Sequence, residues 1–245
     1  MPMKTHRARK TRQIHPIMFR LPITPGLVLK EPVSAVSHFL GACGALVALS
    51  SLAFMPVSNM TALQFASFIG YCLSMFAVFM ASALYHGYPA SLSLHKLLNK
   101  LDHAMIYVFI AGSYVPIFLV GTPNSTGIPV VAAVTAIGAV GVCLEFFRKP
   151  KNRILGSLTY LLMGWVGIFG FGALLSSLPS HAVWLIAIGG VLYSIGAVFY
   201  AIKRPNPCPR VFGFHEIFHL FVLAGSICHF WVVWFVILPM ALQTI

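Results

Sequence analysis

Seven continuous apolar runs, separated by short polar breaks, set the pattern of this chain. They are Val33–Phe54, Leu63–Tyr85, Ala104–Val120, Ile128–Phe147, Ile154–Leu175, Val183–Ile202 and Ile217–Ile237. Each is long enough, at about 17 residues or more, to cross a bilayer as a helix. Apolar residues fill the runs instead of alternating with polar ones, which predicts helices and not the strands of a barrel. The breaks are short, so the expected architecture is all-α: one seven-helix membrane bundle over residues 31–240. A basic segment, 1–30, precedes it, and a short tail, 241–245, follows.

Composition agrees. The 245 residues are 59% hydrophobic and only 8% charged, far below the charge content of soluble domains. The polar opening stretch is too long and too charged to read as a cleaved secretory leader. Five cysteines, an odd number with no C-x-x-C, give no disulfide framework. Four of them lie in apolar runs, where cysteine behaves as a small hydrophobe.

The net charge of +12 raises the question of nucleic acid, but its placement answers it. Basic residues occupy the opening segment, the break after run two (Lys96, Lys100), the break after run four (Arg148, Lys149, Lys151, Arg153) and the break after run six (Lys203, Arg204, Arg210). The other three breaks and the tail contain no Lys or Arg. This alternation predicts a cytoplasmic N-terminus and an external C-terminus in the cell's inner membrane. The basic breaks are expected to meet anionic lipid head groups, not DNA or RNA.

With that topology, scattered polar residues converge on one membrane face. His86 closes run two, and Ser82 lies one turn deeper on the same helix face. Asp102 and His103 precede run three. His215, Glu216 and His219 open run seven, with the two histidines at i and i+4 and so on one face. Two histidines from one helix and a third from another can hold a metal ion, and catalytic zinc sites have three protein ligands with an open position. Titratable groups at membrane depth are costly and mark function. Zn2+ on His86, His215 and His219 is therefore the expected cofactor, with Asp102 and Ser82 as candidate catalytic groups beside it.

Other polar positions point less sharply. Glu31 and His38, at the start of run one, could support the ligands or touch head groups. His229 reads as a buried hydrogen bonder. His6, His15, His95 and His181 read as solvated, and Glu145 as an interfacial partner of Arg148. Pro116 should kink run three, and Gly164, Gly167 and Gly170 should allow close helix contact. His215-Glu216-Ile217-Phe218-His219 also matches H-E-x-x-H, the zinc-protease pattern whose glutamate is a general base. A third ligand upstream on another helix makes a membrane protease the lesser reading.

The stretches S-A-L-Y-H (Ser82–His86), L-D-H (Leu101–His103), G-S-Y-V-P (Gly112–Pro116), F-H-E-I-F-H (Phe214–His219, with His229 beyond) and E-P-V-S-A-V-S-H (Glu31–His38) resemble the hemolysin III group of the progestin and adipoQ receptor family. The resemblance covers about residues 30–240. It implies seven helices with a cytoplasmic N-terminus. It also implies a zinc ion near the cytoplasmic face on His86, His215 and His219, an acidic group beside the zinc site's water at Asp102, and a family serine at Ser82. Adiponectin receptors, which belong to the family, carry glutamine where this chain has Glu216, which weakens the protease reading. Their ceramide-hydrolysing activity, and the link of bacterial relatives to membrane fluidity, imply a zinc-dependent lipid amidase or related hydrolase in lipid homeostasis. Two alternatives stand beside it: a non-enzymatic fluidity sensor with structural zinc, and a haemolytic pore. The partners expected are membrane lipids.

Overall fold

The structure, a computed structural model, describes residues 19–20, 28–147, 153–208 and 211–243. Most of the basic opening segment, His6, His15, residues 148–152, Arg210 and the last two residues lie outside the described residues. A two-residue antiparallel pairing of Phe19–Arg20 with Val28–Leu29 precedes the helices.

Seven helical spans are long and apolar enough to cross a membrane. Helix α1 (Pro32–Ser51) extends through a 3-10 turn to Phe54. Helix α2 covers Ala62–Gly87, and α3 covers Leu92–Tyr114 and runs into a π-helical segment, Val115–Val120. Helix α4 is Asn124–Phe147. Span five is broken: α5 (Arg153–Trp165) and α6 (Phe171–Ser177) flank a 3-10 segment, Val166–Gly170. Helix α7 is Ser180–Ile202. Span seven joins α8 (Phe214–Val232), a π segment at Val233–Ile237 and α9 (Leu238–Leu242). Outward-facing residues such as Val47, Leu162, Phe169 and Trp184 are exposed hydrophobics, as lipid contact requires.

Local chemistry explains several of these boundaries. Helix α2 starts at a capping box: Gln64 N donates to Thr61 Oγ1 at 3.2 Å, and Thr61 N donates to Gln64 Oε1 at 2.9 Å. Helix α3 begins twelve residues before the apolar run at Ala104. Hydropathy marks where a helix enters lipid, whereas the backbone bonds continue through the polar Leu92–His103 turns. Pro116, with no N–H to give, coincides with the π segment, where Gly121 N reaches back five residues to Pro116 O at 3.2 Å.

The expected close contact at span five is present in part. A side chain on Gly170 would collide with the Phe118 ring, while Gly164 faces open space. Tyr114 of α3 spans the break, its hydroxyl donating to Gly164 O at 2.6 Å and accepting from Gly167 N at 2.8 Å. This bond partly satisfies backbone that the 3-10 geometry frees inside the bundle.

Helices α1, α2 and α3 pack side by side, α7 pairs with α8, and α1 also touches α8. At one end of the bundle Leu52, Phe68, Leu174, Leu178, Val183 and Ile237 belong to a continuous apolar core. Glu31, His38, His86, Asp102, His215 and His219 gather around one cavity at the other end.

Candidate metal centre

The last turn of α2 carries His86, and the first two turns of α8 carry His215 and His219. Two side chains fix where α8 starts. Asn206 Oδ1 accepts from Phe214 N at 3.1 Å, and Glu216 Oε2 accepts from Gly213 N at 2.8 Å. These bonds satisfy amide donors that a helix N-terminus leaves open.

The three imidazoles meet. His86 Nε2 lies 3.4 Å from His215 Nε2, and His215 Nε2 lies 3.0 Å from His219 Nε2. One ligand atom from each residue lies within 4.8 Å of the others, so the group could hold a metal ion. Nitrogens at about 2.0–2.1 Å from a tetrahedral zinc would stand about 3.3 Å apart, close to the two short separations. His86 and His219 are buried.

Span one supplies partners to two of the three rings. Glu31 Oε2 accepts from His86 Nδ1 at 2.5 Å, and Glu31 N donates to His86 O at 3.0 Å. A carboxylate on Nδ1 requires the proton there, so the lone pair of His86 sits on Nε2 and faces the other two rings. Burial alone would push the Glu31 carboxyl up. The hydrogen bond from His86 and the neighbouring Lys30 ammonium outweigh it and hold the carboxyl at about 2. His38 is buried, and its ring nitrogens lie 2.9 and 3.1 Å from His219 Nδ1. Partners of this kind orient metal-binding imidazoles and set their tautomers. The sequence left both residues open between ligand support and head-group contact; the structure places them on the ligands.

Asp102 and Ser82 face the same space. A cavity of about 1210 Å³ is lined by the three histidines, Asp102, Ser82 and the apolar side chains of Val78, Ile106, Phe109, Ile110 and Val222. Asp102 is buried, with its Oδ2 3.4 Å from His103 Nδ1. Ser82 Oγ is buried and has no hydrogen-bond partner among the described residues, as would suit a hydroxyl awaiting a bound group. The chain has four acidic residues, and all four line this cavity. The neutral nitrogen set, its spacing, the partners on two rings and the orphaned hydroxyl together fit zinc.

The structure bears on several further expectations. Glu216, the candidate base of the H-E-x-x-H pattern, turns back to cap α8. His95 is half-buried on α3, stacked on Tyr85 with ring centres 4.9 Å apart, and is not a loop residue. Glu145 accepts from Tyr160 Oη at 3.4 Å and lines the cavity; its expected partner, Arg148, lies outside the described residues. His181 is exposed and His229 Nε2 donates to Ile186 O at 3.2 Å, both as expected. Asn206 gave no signal in the sequence, because its role depends on the fold of the break before α8.

The model of the haemolysin-III related family matches residues 27–230. The chain belongs to this family. Hemolysin-3 of Bacillus cereus is 33% identical over 214 residues, covering 87% of this chain and 94% of the relative. The hemolysin-3 homolog of Bacillus subtilis strain 168 is 30% identical over 208 residues, covering 85% and 94%. More distantly, an adiponectin receptor protein of Drosophila melanogaster is 28% identical over 159 residues, which is 57% of this chain and 35% of the receptor. The chain is thus a multi-pass membrane protein of the haemolysin-III family.

Proposed function

We propose that this haemolysin-III family protein is a zinc-dependent hydrolase of a lipid amide or ester, serving membrane lipid homeostasis. The observation that carries the reading is the convergence of three imidazole nitrogens in a cavity that also holds Asp102, a buried unpartnered Ser82 hydroxyl and an apolar body. His86, His215 and His219 would hold the zinc. When bound, zinc supplies Lewis acidity and makes water a nucleophile near neutral pH.

The chain's own groups do the rest. Glu31 and His38 hold two imidazoles in register. Asp102 accepts the proton of the attacking water as its oxygen bonds the carbonyl carbon, then delivers that proton to the leaving amine or alkoxide as the C–N or C–O bond breaks. Ser82 donates a hydrogen bond at the reacting centre. Val78, Ile106, Phe109 and Val222 receive the acyl chain. The positive-inside distribution of Lys and Arg supports placing this end of the bundle at the cytoplasmic face of the inner membrane.

Purified protein supplied with defined ceramides and phospholipids tests the reading. Turnover that disappears in His215→Ala and Asp102→Ala supports it. A bundle that unfolds on zinc removal, with no turnover of any lipid by the intact protein, supports a structural zinc instead. That second reading has its own observation: the histidines and their partners join spans one, two and seven. A haemolytic pore has less support, since apolar side chains fill the far end of the bundle and a water path needs polar lining through its depth.

A further inference from the structure

We propose that the mouth of the metal cavity carries a phosphate subsite built by Lys30, His95 and Lys96 around Tyr85, and that it takes the phosphate of a lipid head group. This deepens the hydrolase reading by naming its substrate class, but binding at the subsite does not depend on turnover.

Among the described residues, Lys30 is the one Lys or Arg lining the metal cavity. Lysines at the end of a span usually extend toward water and head groups. Lys30 instead folds inward: its ammonium lies 4.9 Å over the Tyr85 ring, 3.5 Å from His95 Nε2 and 3.6 Å from Glu31 Oε1. A second, smaller cavity of about 340 Å³ is lined by Tyr85, His95, Lys96, Asn99 and Lys100. It shares Tyr85 and Asn99 with the metal cavity, so the two are neighbours across one wall.

The charges around this wall do not balance. Among the described residues, Lys30, Lys96 and Lys100 outnumber the carboxylates of Glu31 and Asp102 here, and both Glu31 oxygens are already engaged by His86 and Lys30. Lys96 and Lys100 are four apart on α3, a like-charge spacing that is mildly destabilising. Lys100 is turned toward α4, where it donates to Phe146 O at 3.0 Å. Lys30 and Lys96 remain as the cations best placed for an anion, with His95 and Asn99 beside them as polar partners. A phosphate, with its charge and several acceptor oxygens, matches ammonium and imidazole donors.

The location ties the subsite to the metal. Tyr85 precedes His86, with ring centres 4.6 Å apart, and Lys30 reaches His86 through Glu31. In a glycerophospholipid the phosphate and the first ester carbonyl are only a few bonds apart. A phosphate held here therefore brings that carbonyl toward the histidines while the acyl chain enters the apolar body. Ceramide has no phosphate and would leave the subsite unused.

The test is a binding measurement on the full-length, detergent-purified, zinc-loaded protein. The probes are dioctanoyl phosphatidic acid and dioctanoylglycerol, which share acyl chains and differ in the phosphate. The phosphatidic acid should bind at least about tenfold more tightly, the value of one charge-assisted hydrogen bond, and the preference should weaken as salt rises. Lys30→Gln and Lys96→Gln should each shrink the preference several-fold, Lys30→Arg should restore it, and Arg204→Gln, in the α7–α8 connection, should leave it unchanged. The same preference measured in His215→Ala separates this proposal from the hydrolase reading: it should persist there even though turnover is lost. Equal binding of the two lipids, or a preference untouched by Lys30→Gln and Lys96→Gln, overturns the proposal. Competition by inorganic phosphate without any preference between the lipids would assign the site to free phosphate and overturn it too.

Discussion

Replacing His38 with leucine asks whether the metal centre depends on span one. In the structure the His38 ring nitrogens lie 2.9 and 3.1 Å from His219 Nδ1, both rings are buried, and His38 also packs edge-on against Phe79 at 5.1 Å. Leucine keeps much of that volume and removes the hydrogen bond. A buried nitrogen left without its partner costs about 1–3 kcal/mol. Where the lost bond had oriented a metal ligand, the effect reaches about 10- to 100-fold in metal affinity. The free protein loses the same bond, so only the orienting share of the cost is visible as weaker zinc binding. The remainder lowers the thermal stability of the metal-free protein. Two measurements separate these shares: competitive zinc titration against a chelating fluorophore in detergent, and melting of the zinc-free protein. His38→Gln, which can still bond His219, should recover most of the affinity. Wild-type zinc affinity in His38→Leu would refute the idea that this contact orients a ligand.

Further outcomes follow from the same contacts. Asp102→Asn should retain zinc while lipid turnover falls by about 100- to 10,000-fold, the range for a lost general base; metal analysis with single-turnover kinetics checks it. Glu216→Ala should lower stability by about 0.5–2 kcal/mol through loss of the α8 cap and leave zinc bound; an outcome with unchanged stability but abolished turnover would restore the protease-like role for Glu216. Tyr114→Phe should cost about 1–3 kcal/mol, because Gly164 O and Gly167 N lose their partner inside the bundle, as thermal melting in detergent would show.

Much of this was legible in the sequence because the bilayer imposes a strong rule: apolar runs of sufficient length must be helices. The seven spans follow from that, and the i, i+4 spacing of His215 and His219 follows from helix geometry. His86 joined them because alternating topology puts the end of span two and the start of span seven at one face. The rest depended on tertiary facts. The α3 start at Leu92 was hidden because a helix outlasts its apolar stretch. The roles of Glu31 and His38 depend on how α1 leans on α2 and α8, which no spacing within span one reveals. Glu216 shows the opposite case: a complete five-residue motif whose glutamate serves the helix end. The inward turn of Lys30 was invisible because charge counting assigns lysines to a membrane face and not to a cavity.

The central claim is that His86, His215 and His219 share one zinc ion. Metal content by mass spectrometry, on detergent-purified wild type and on the three single alanine variants with helical content checked in parallel, tests it most directly. About one zinc per chain is expected in the wild type, with each variant folded and nearly zinc-free. Zinc absent from a folded wild type, or retained at full occupancy in any folded alanine variant, would contradict it.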